Sequence, residues 1–204
     1  MAGESDVRIE PVAGDRLVAV LGDVARLRIE VFAAWPYLYD GSLAYEEGYL
    51  REFARADGAV VIIARQGERV VGAATAAPLG EHTREFVPLF AVHGYDPDRV
   101  FYCGESVLLP DYRGRGIGNA FFDRREDHAR ACRGVKGSFS HIAVCSVVRR
   151  PDDRRAPAGY RTLDGFWRKR GYVPVEGLVG SYRWKEIGEE EETEKAMQFW
   201  ARAL

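Results

Sequence analysis

The sequence lacks the marks of several protein classes. It has only three cysteines, widely spaced at positions 103, 132 and 145, so neither a disulfide framework nor a zinc site is expected. Its longest apolar runs, such as 59–64, are far too short to span a bilayer. Its net charge of -2 gives no bulk attraction to nucleic acid or to an anionic membrane. We therefore expect no nucleic-acid or membrane partner.

Two further absences concern export and metals. Residues 1–6 contain no basic segment followed by an apolar one, so we expect no secretory signal and a cytoplasmic protein. The four histidines show no metal-ligand spacing, so we expect no metal. A chain of 204 residues suits one domain. We expect residues 1–204 to form a single domain, with a core at about 7–185 and a C-terminal helix at 189–204.

The apolar pattern predicts alternating strands and helices. Strands are predicted where apolar residues run continuously or alternate, and helices where they recur at helical spacing. The predicted strands are 7–12, 59–65, 69–77, 100–109, 139–148, 172–175 and 178–185. The predicted helices are 15–33, 42–55, 116–131, 160–170 and 189–204. Residues 78–98 form an insertion, which we expect to be partly helical and near the site.

The most informative segment joins the predicted strand 100–109 to the next helix. It reads Leu108-Leu109-Pro110-Asp111-Tyr112-Arg113-Gly114-Arg115-Gly116-Ile117-Gly118-Asn119. Backbone amides at such a strand-to-helix turn, at the positive end of the helix dipole, suit a phosphate or pyrophosphate. The three glycines allow positive φ angles and close approach of a ligand. The two arginines add charged donors.

Two common glycine motifs do not fit this turn. A P-loop needs Lys followed by Ser or Thr after the last glycine, and Asn119 follows here. The dinucleotide spacing G-x-G-x-x-G would need a glycine at Asn119 or at Phe121. The turn instead matches Arg-x-x-Gly-x-Gly, at Arg113, Gly116 and Gly118. It resembles the pyrophosphate loop of the GNAT acetyltransferase superfamily, which binds acetyl-coenzyme A. The alternative is an ordinary strand-to-helix turn with solvent-facing arginines.

The resemblance covers most of the chain, from about 7 to 185. The order of elements is similar to that of the GNAT fold, and Phe166-Trp167-Arg168-Lys169-Arg170-Gly171-Tyr172 resembles the second signature of the superfamily, aromatic-x-x-x-Gly-aromatic. The resemblance implies a mixed α/β fold (α+β, a three-layer αβα sandwich) with a mixed central sheet. It also implies acetyl-CoA as acyl donor. The implied cofactor-binding residues are Leu108, Leu109, Arg113, Gly114, Arg115, Gly116, Ile117, Gly118, Asn119 and Trp167.

Three residues are candidates for the chemistry. Glu105 interrupts an otherwise apolar strand, where a partly desolvated carboxylate is a stronger base, and Gly104 beside it suggests a bulge. Many GNAT enzymes also place a glutamate on this strand; the alternative is a structural ion pair. The resemblance implies that the strand splays, and that its free amides, including that of Leu108, bind the pantetheine arm and polarise the thioester. Tyr160 is the candidate acid, because Trp167 stands where these enzymes often carry tyrosine. A reaction without a protein acid is the alternative.

The resemblance implies that the loop between the first two helices lines the acceptor pocket. The candidate acceptor-binding residues are Arg28, Tyr37, Tyr39, Asp40 and Glu105. Aromatic rings with one carboxylate suit an amine on an apolar or ring-shaped body. The alternative is a hydrophobic plug over the core. The stretches 37–41 and 184–188 suggest one bacterial subfamily of unknown acceptor.

These observations predict an N-acetyltransferase that moves the acetyl group of acetyl-CoA directly to a primary amine of a small molecule or peptide. One alternative is a non-catalytic module that binds or senses acyl-CoA. Another is an acyltransferase with a different donor. His141 and Cys145 share a strand face, which leaves a nucleophile pair as an alternative to two core residues. An apolar stripe on the helix at 189–204 leaves a homodimer open.

Overall fold

The centre of the molecule is a mixed sheet of seven strands. A computed structural model describes residues 6–204; residues 1–5, part of the segment in which no secretory signal is expected, lie outside this range. The sheet contains β1 (Arg8–Ala13), β2 (Val60–Gln66), β3 (Arg69–Pro78), β4 (Val100–Leu108), β7 (His141–Val147), β8 (Val173–Trp184) and β9 (Thr193–Ala203). Its order is β1-β2-β3-β4-β7-β9-β8, with β4 and β7 parallel and the other neighbours antiparallel. The short strands β5 (Arg133–Gly134) and β6 (Gly137–Ser138) form a separate hairpin.

Six α-helices occur in the described residues. They are α1 (Leu21–Phe32), α2 (Leu43–Ala54), α3 (Leu79–His82), α4 (Val87–Val92), α5 (Ile117–Ala131) and α6 (Asp164–Lys169). The helix predicted at 42–55 is confirmed with its cap, because the hydroxyl of Ser42 accepts from the amide of Tyr45 at 3.3 Å. None of the helices in residues 6–204 is long and apolar enough to cross a membrane.

Helices cover both faces of the sheet, which confirms the predicted three layers. On β4, Phe101 packs against His128 of α5, whereas its neighbour Tyr102 packs against Phe86 of the insertion. Successive strand residues point to opposite faces, so α5 and the insertion lie on opposite sides. The ring of His82 in α3 contacts Tyr49 in α2 at 5.1 Å, which puts α2 on the insertion side.

The C-terminal segment differs from its prediction. Residues 189–204 do not form a helix: β9 occupies 193–203 and pairs with both β7 and β8. Phe199 and Trp200 are adjacent in the sequence and both buried, one on each face of the sheet. Their spacing therefore lacks the alternation of a half-exposed strand and also fits the apolar stripe of a helix. The core therefore extends beyond residue 185. Because both rings lie inside the molecule, the stripe that left a homodimer open is not a surface.

Two other segments also differ in detail. The helix predicted at 160–170 is confined to α6, Asp164–Lys169. The two strands predicted at 172–185 are one strand, β8, whose pairing with β9 shifts register between Pro174 and Val179. The insertion at 78–98 is partly helical as predicted, and Phe90 packs on Phe199 of β9 at 5.2 Å.

Candidate active site

The glycine turn forms an open cradle at the start of α5. Gly114 and Gly116 have φ angles of +76° and +81°, a region that favours glycine. No side chain caps α5 in the described chain, so the amides of its first turn have no side-chain acceptor there. A Cβ added at Gly114, Gly116 or Gly118 would meet no atom of residues 6–204 within 4 Å, so this part of the chain leaves the surface over the turn open. The cradle thus fits a pyrophosphate.

The side chains around the cradle divide between surface and core. Arg113 and Arg115 are exposed, as a role with an anion requires. Asn119 is also exposed, and its Oδ1 accepts from Arg170 at 3.2 Å. Ile117 is only 4% exposed and packs in the core, so its backbone amide is the part that faces a ligand.

Strands β4 and β7 separate close to this turn. Their pairing runs from Val100–His141 to Cys103–Val144, and β4 continues to Leu108. The amide of Leu109 donates to the carbonyl of Val71 on β3 at 3.0 Å. Because amides alternate between the two edges of a strand, the amide of Leu108 points to the open edge. The expectation of a free amide is therefore wrong for Leu109, since β3 occupies it.

Glu105 lies at a bulge between β3 and β4, as Gly104 suggested. Ala74 pairs with Ser106 and Ala76 with Cys103, so Thr75 opposes both Gly104 and Glu105. A Cβ at Gly104 would lie 2.6 Å from Oγ1 of Thr75, so only glycine fits here.

The carboxylate of Glu105 is buried beside a cation. Glu105 is 8% exposed, and its Oε2 lies 2.7 Å from Nη1 of Arg28 on α1. Its Oε1 has no hydrogen-bond partner in residues 6–204. Nε of Arg28 also pairs with Glu46, which is fully buried. Burial opposes the charge of Arg28, but Glu105, Tyr49 and Glu46 together raise its pKa above the usual range. Glu105 thus has one paired oxygen and one unused acceptor.

The geometry agrees with the comparisons. The Acetyltransferase (GNAT) family profile matches residues 26–150, which include the splayed strand and the glycine turn. The chain belongs to the GNAT acetyltransferase family. Its members are acyltransferases that take the acyl group from acyl-CoA.

Solved structures share the fold at low sequence identity. An acetyltransferase from Thermus thermophilus is 16% identical, with 97% of each chain covered and a TM-score of 0.55. A ribosomal-protein-alanine N-acetyltransferase from Brucella melitensis is 17% identical, with 97% of this chain and 99% of that chain covered and a TM-score of 0.56. A GNAT acetyltransferase from Streptococcus pneumoniae is 11% identical, with 98% and 99% covered and a TM-score of 0.58. No curated protein sequence matches the chain significantly.

The fold of this GNAT family member joins the two stretches 37–41 and 184–188. Tyr39 forms a bridge with Glu186, and Asp40 pairs with Lys185 at 2.8 Å. The ring of Tyr37 contacts that of Trp184 at 5.8 Å. The loop after α1 is therefore fixed to the end of β8.

Tyr37 places the loop near Glu105. Burial, followed by the neighbouring Cys145, Tyr160 and Glu105, raises the pKa of Tyr37 above its usual range. Arg28, Tyr37 and Glu105 thus belong to one electrostatic neighbourhood. The carboxylate of Asp40, by contrast, pairs with Lys185.

The candidate acid Tyr160 and the candidate cofactor-binding residue Trp167 lie in different surroundings. Tyr160 is 40% exposed, and its ring meets Trp35 edge-on at 6.1 Å. Burial and then Asp164 raise its pKa, so its hydroxyl stays protonated at neutral pH. Trp167 is 3% exposed and packs on Trp200 at 5.4 Å. A cofactor contact of the Trp167 ring stays a prediction.

Two groups of site residues escaped the sequence reasoning. Arg149, Glu186 and Lys195 form an ion cluster under the loop after α1 (residues 33–42), which is called the acceptor loop after its predicted role. Arg149 lies far from the other two charges in the sequence. Thr75 and Arg125 contact the bulge. Arg125 could have been recognised as buried, because it occupies a position of α5 where the helical spacing calls for an apolar residue. In residues 6–204, no three His, Cys, Asp or Glu side chains group as metal ligands.

We expect the Cys145 thiol to be inert in the native protein. Its Sγ lies 3.0 Å from the hydroxyl of Tyr102, and burial raises its pKa to about 12. At pH 8, about one such thiol in ten thousand is the reactive thiolate. Iodoacetamide followed by peptide mass spectrometry should leave Cys145 unmodified until guanidinium chloride is added. Rapid native labelling of Cys145 would contradict this burial and reopen the His141–Cys145 pair as a nucleophile.

Proposed function

We propose that this enzyme is an N-acetyltransferase that moves the acetyl group of acetyl-CoA directly to a primary amine of a small molecule or peptide. The observation that carries the proposal is the opening between β4 and β7. The glycine cradle and the outward amide of Leu108 lie at this opening, and Glu105 lies on the same strand. We infer that β4 supplies an oxyanion donor and a base, and that the turn after it supplies a cofactor anchor.

Each part meets one requirement of the reaction. A free ammonium has a pKa of about 10, so the acceptor must lose a proton, which Glu105 takes directly or through water. As the amine nitrogen bonds to the carbonyl carbon, the amide of Leu108 stabilises the oxyanion. The carbon–sulfur bond then breaks. Tyr160 protonates the thiolate, unless the proton of the acceptor ammonium reaches it.

The surroundings support direct transfer to a ring-bearing amine. Because the pKa of Cys145 is raised to about 12, no activated thiol in this neighbourhood competes as an acetyl carrier. The loop presents Tyr37 near Glu105 and Tyr39 near Glu46 and Arg28, and aromatic faces bind organic cations.

Thermal unfolding with ligands tests the proposal first. A ligand that binds only the native state raises Tm, so acetyl-CoA and CoA should raise it, whereas ATP and NAD at equal concentration should not. The second step follows thiol release from acetyl-CoA with a panel of phenethylamine, tyramine, tryptamine and an alanine-terminated peptide. Thiol release with at least one amine supports the enzyme. The absence of a shift with both CoA ligands would contradict the proposal.

The ion pair of Glu105 favours one second candidate. A base held by Arg28 at 2.7 Å also suits a non-catalytic module that binds acyl-CoA. A rise in Tm with acetyl-CoA, combined with no thiol release across the amine panel, would favour that module.

We expect Gly116→Val to weaken CoA binding by about tenfold or more, because a β-branched residue is strained at φ +81° by about 1–3 kcal/mol and its side chain would fill the cradle. Calorimetric titration with CoA measures the loss. Gly137→Val is the matched control: its φ is +83°, its surroundings are equally open, and it lies in the β5–β6 hairpin. Equal affinity losses in both variants would contradict a role of Gly116 in the cradle.

A further inference from the structure

Arg125 is a buried cation that forms no ion pair with the described residues. It lies on α5 and is 1% exposed, and no carboxylate oxygen of residues 6–204 is within 4 Å of its guanidinium. It stacks on Phe122, with its Cζ 4.4 Å from the ring centroid. A buried charge without a partner of opposite sign destabilises a protein, so packing alone does not explain an arginine here.

The hydrogen bonds of Arg125 all go to the two bulged strands. Its Nη1 donates to the carbonyls of Thr75 and Glu105, at 3.2 and 3.1 Å. Its Nη2 donates to the hydroxyl of Ser106 at 3.0 Å. These acceptors lie on both sides of the bulge, and the planar fork of arginine can span them.

Thr75 holds the same bulge from within the sheet. It is 2% exposed, and its Oγ1 accepts from the amide of Glu105 at 3.2 Å. This side-chain acceptor stands in for a carbonyl of the regular ladder. It also lies in the space that a Cβ at Gly104 would need.

The bulge decides which face of the sheet carries Glu105. Side chains alternate along a strand, so without the extra residue Glu105 would point to the same face as Cys103. That face is covered by α5. With the bulge, Glu105 instead meets Arg28 of α1 on the opposite face, where the acceptor loop lies.

We propose that Arg125 and Thr75 are positioning residues that hold the bulge in β4 and so aim Glu105 at the acceptor. This inference rests on the proposed function, in which Glu105 is the base. Neither residue touches the reacting atoms. Their effect passes through the direction of one carboxylate.

The test compares Thr75→Val with Thr75→Ser, using the most active amine of the panel. Valine keeps the shape but removes the acceptor, so kcat should fall by about 10- to 100-fold while the KM for acetyl-CoA stays unchanged. Serine keeps the hydroxyl and should restore most of kcat. Arg125→Lys keeps the charge but cannot span three acceptors, so it should resemble Thr75→Val. Tm is measured for every variant.

A double-mutant cycle separates positioning from a general loss of stability. If Thr75 acts through Glu105, adding Thr75→Val to Glu105→Gln should lower kcat little further. The inference would be overturned if the loss of kcat in the double variant equalled the product of the two single losses, or if Thr75→Val and Thr75→Ser had equal kcat. Either result would leave Glu105 as the base.

A crystal structure of Thr75→Val gives a readout that does not depend on activity. Loss of the bulge, or of the contact between Glu105 and Arg28, supports the inference. An unchanged bulge and contact would overturn it. If the wild-type enzyme releases no thiol with any amine, the proposed function fails, and this structure still decides whether Thr75 holds the bulge.

Discussion

Glu105→Gln is expected to lower kcat by about 100-fold or more and to leave the affinity for CoA unchanged. Glutamine keeps the size of the side chain but cannot accept the proton of the amine, and positioned general bases contribute about 10²–10⁴-fold. The side chain lies on the face of β4 toward α1, away from the glycine cradle, so cofactor binding has no reason to change. The measurement is kcat from thiol release beside the Kd for CoA from calorimetry.

The pH profile makes this prediction sharper. An amine with a pKa of about 10 loses its own proton in alkaline solution, so the deficit of Glu105→Gln should shrink as the pH rises toward 10. A purely structural defect would not recover in this way.

Glu46→Gln is the matched control for Glu105→Gln. Glu46 is also buried against Arg28, so this variant disturbs the ion pairs of Arg28 without removing the proposed base. We expect it to lose stability but to keep kcat within a few fold. If Glu105→Gln instead abolished CoA affinity while turnover per bound cofactor survived, Glu105 would be structural.

The strongest sequence predictions were those with local causes. The hairpin of β2 and β3, the capped helix α2 and the glycine turn before α5 each depend on neighbouring residues, and the structure contains all three. β9 was missed because its position between β7 and β8 depends on partners that lie elsewhere in the chain. An inner strand that is buried on both faces does not show a clean alternation.

The candidate site shows the same division between features with local causes and features that depend on distant parts of the chain. Gly104 and Glu105 stand out because a glycine and a charge interrupt an apolar run, and the bulge is confirmed. The partner of Glu105 could not be chosen from the sequence, since Arg28 lies on a separate helix far away in the chain. Arg149 and Glu186 look like surface charges until the fold brings them together.

The second large effect is expected at Glu186, which is 1% exposed beneath the acceptor loop. Its carboxylate lies 2.6 Å from Nη1 of Arg149 and 2.5 Å from Nη1 of Arg155. Lys195 lies 3.6 Å away. Removing one partner from a buried ion pair leaves the other charge without compensation, which costs about 3–5 kcal/mol. Since Arg155 is half exposed, we expect about 3 kcal/mol for Glu186→Gln.

Glu186→Gln should lower Tm and weaken the binding of the acceptor amine together. For a protein of this size, about 3 kcal/mol corresponds to a fall in Tm of about 6–12 °C. Arg149 also donates to the carbonyls of Pro36 and Tyr37, at 2.6 and 3.2 Å, so releasing it should loosen the loop and raise the KM for the amine. The KM for acetyl-CoA should stay unchanged.

Glu194→Gln is the control for Glu186→Gln. Glu194 on β9 pairs with Arg183 on β8 at 3.7 Å, and both side chains are exposed. Exposed pairs contribute about 0–1 kcal/mol, so its Tm should stay close to that of the wild type. If Glu186→Gln and this control had the same Tm, solvent would stabilise the three cations, and the loop after α1 would be held by its contacts with residues 184–187 instead of by the ion cluster.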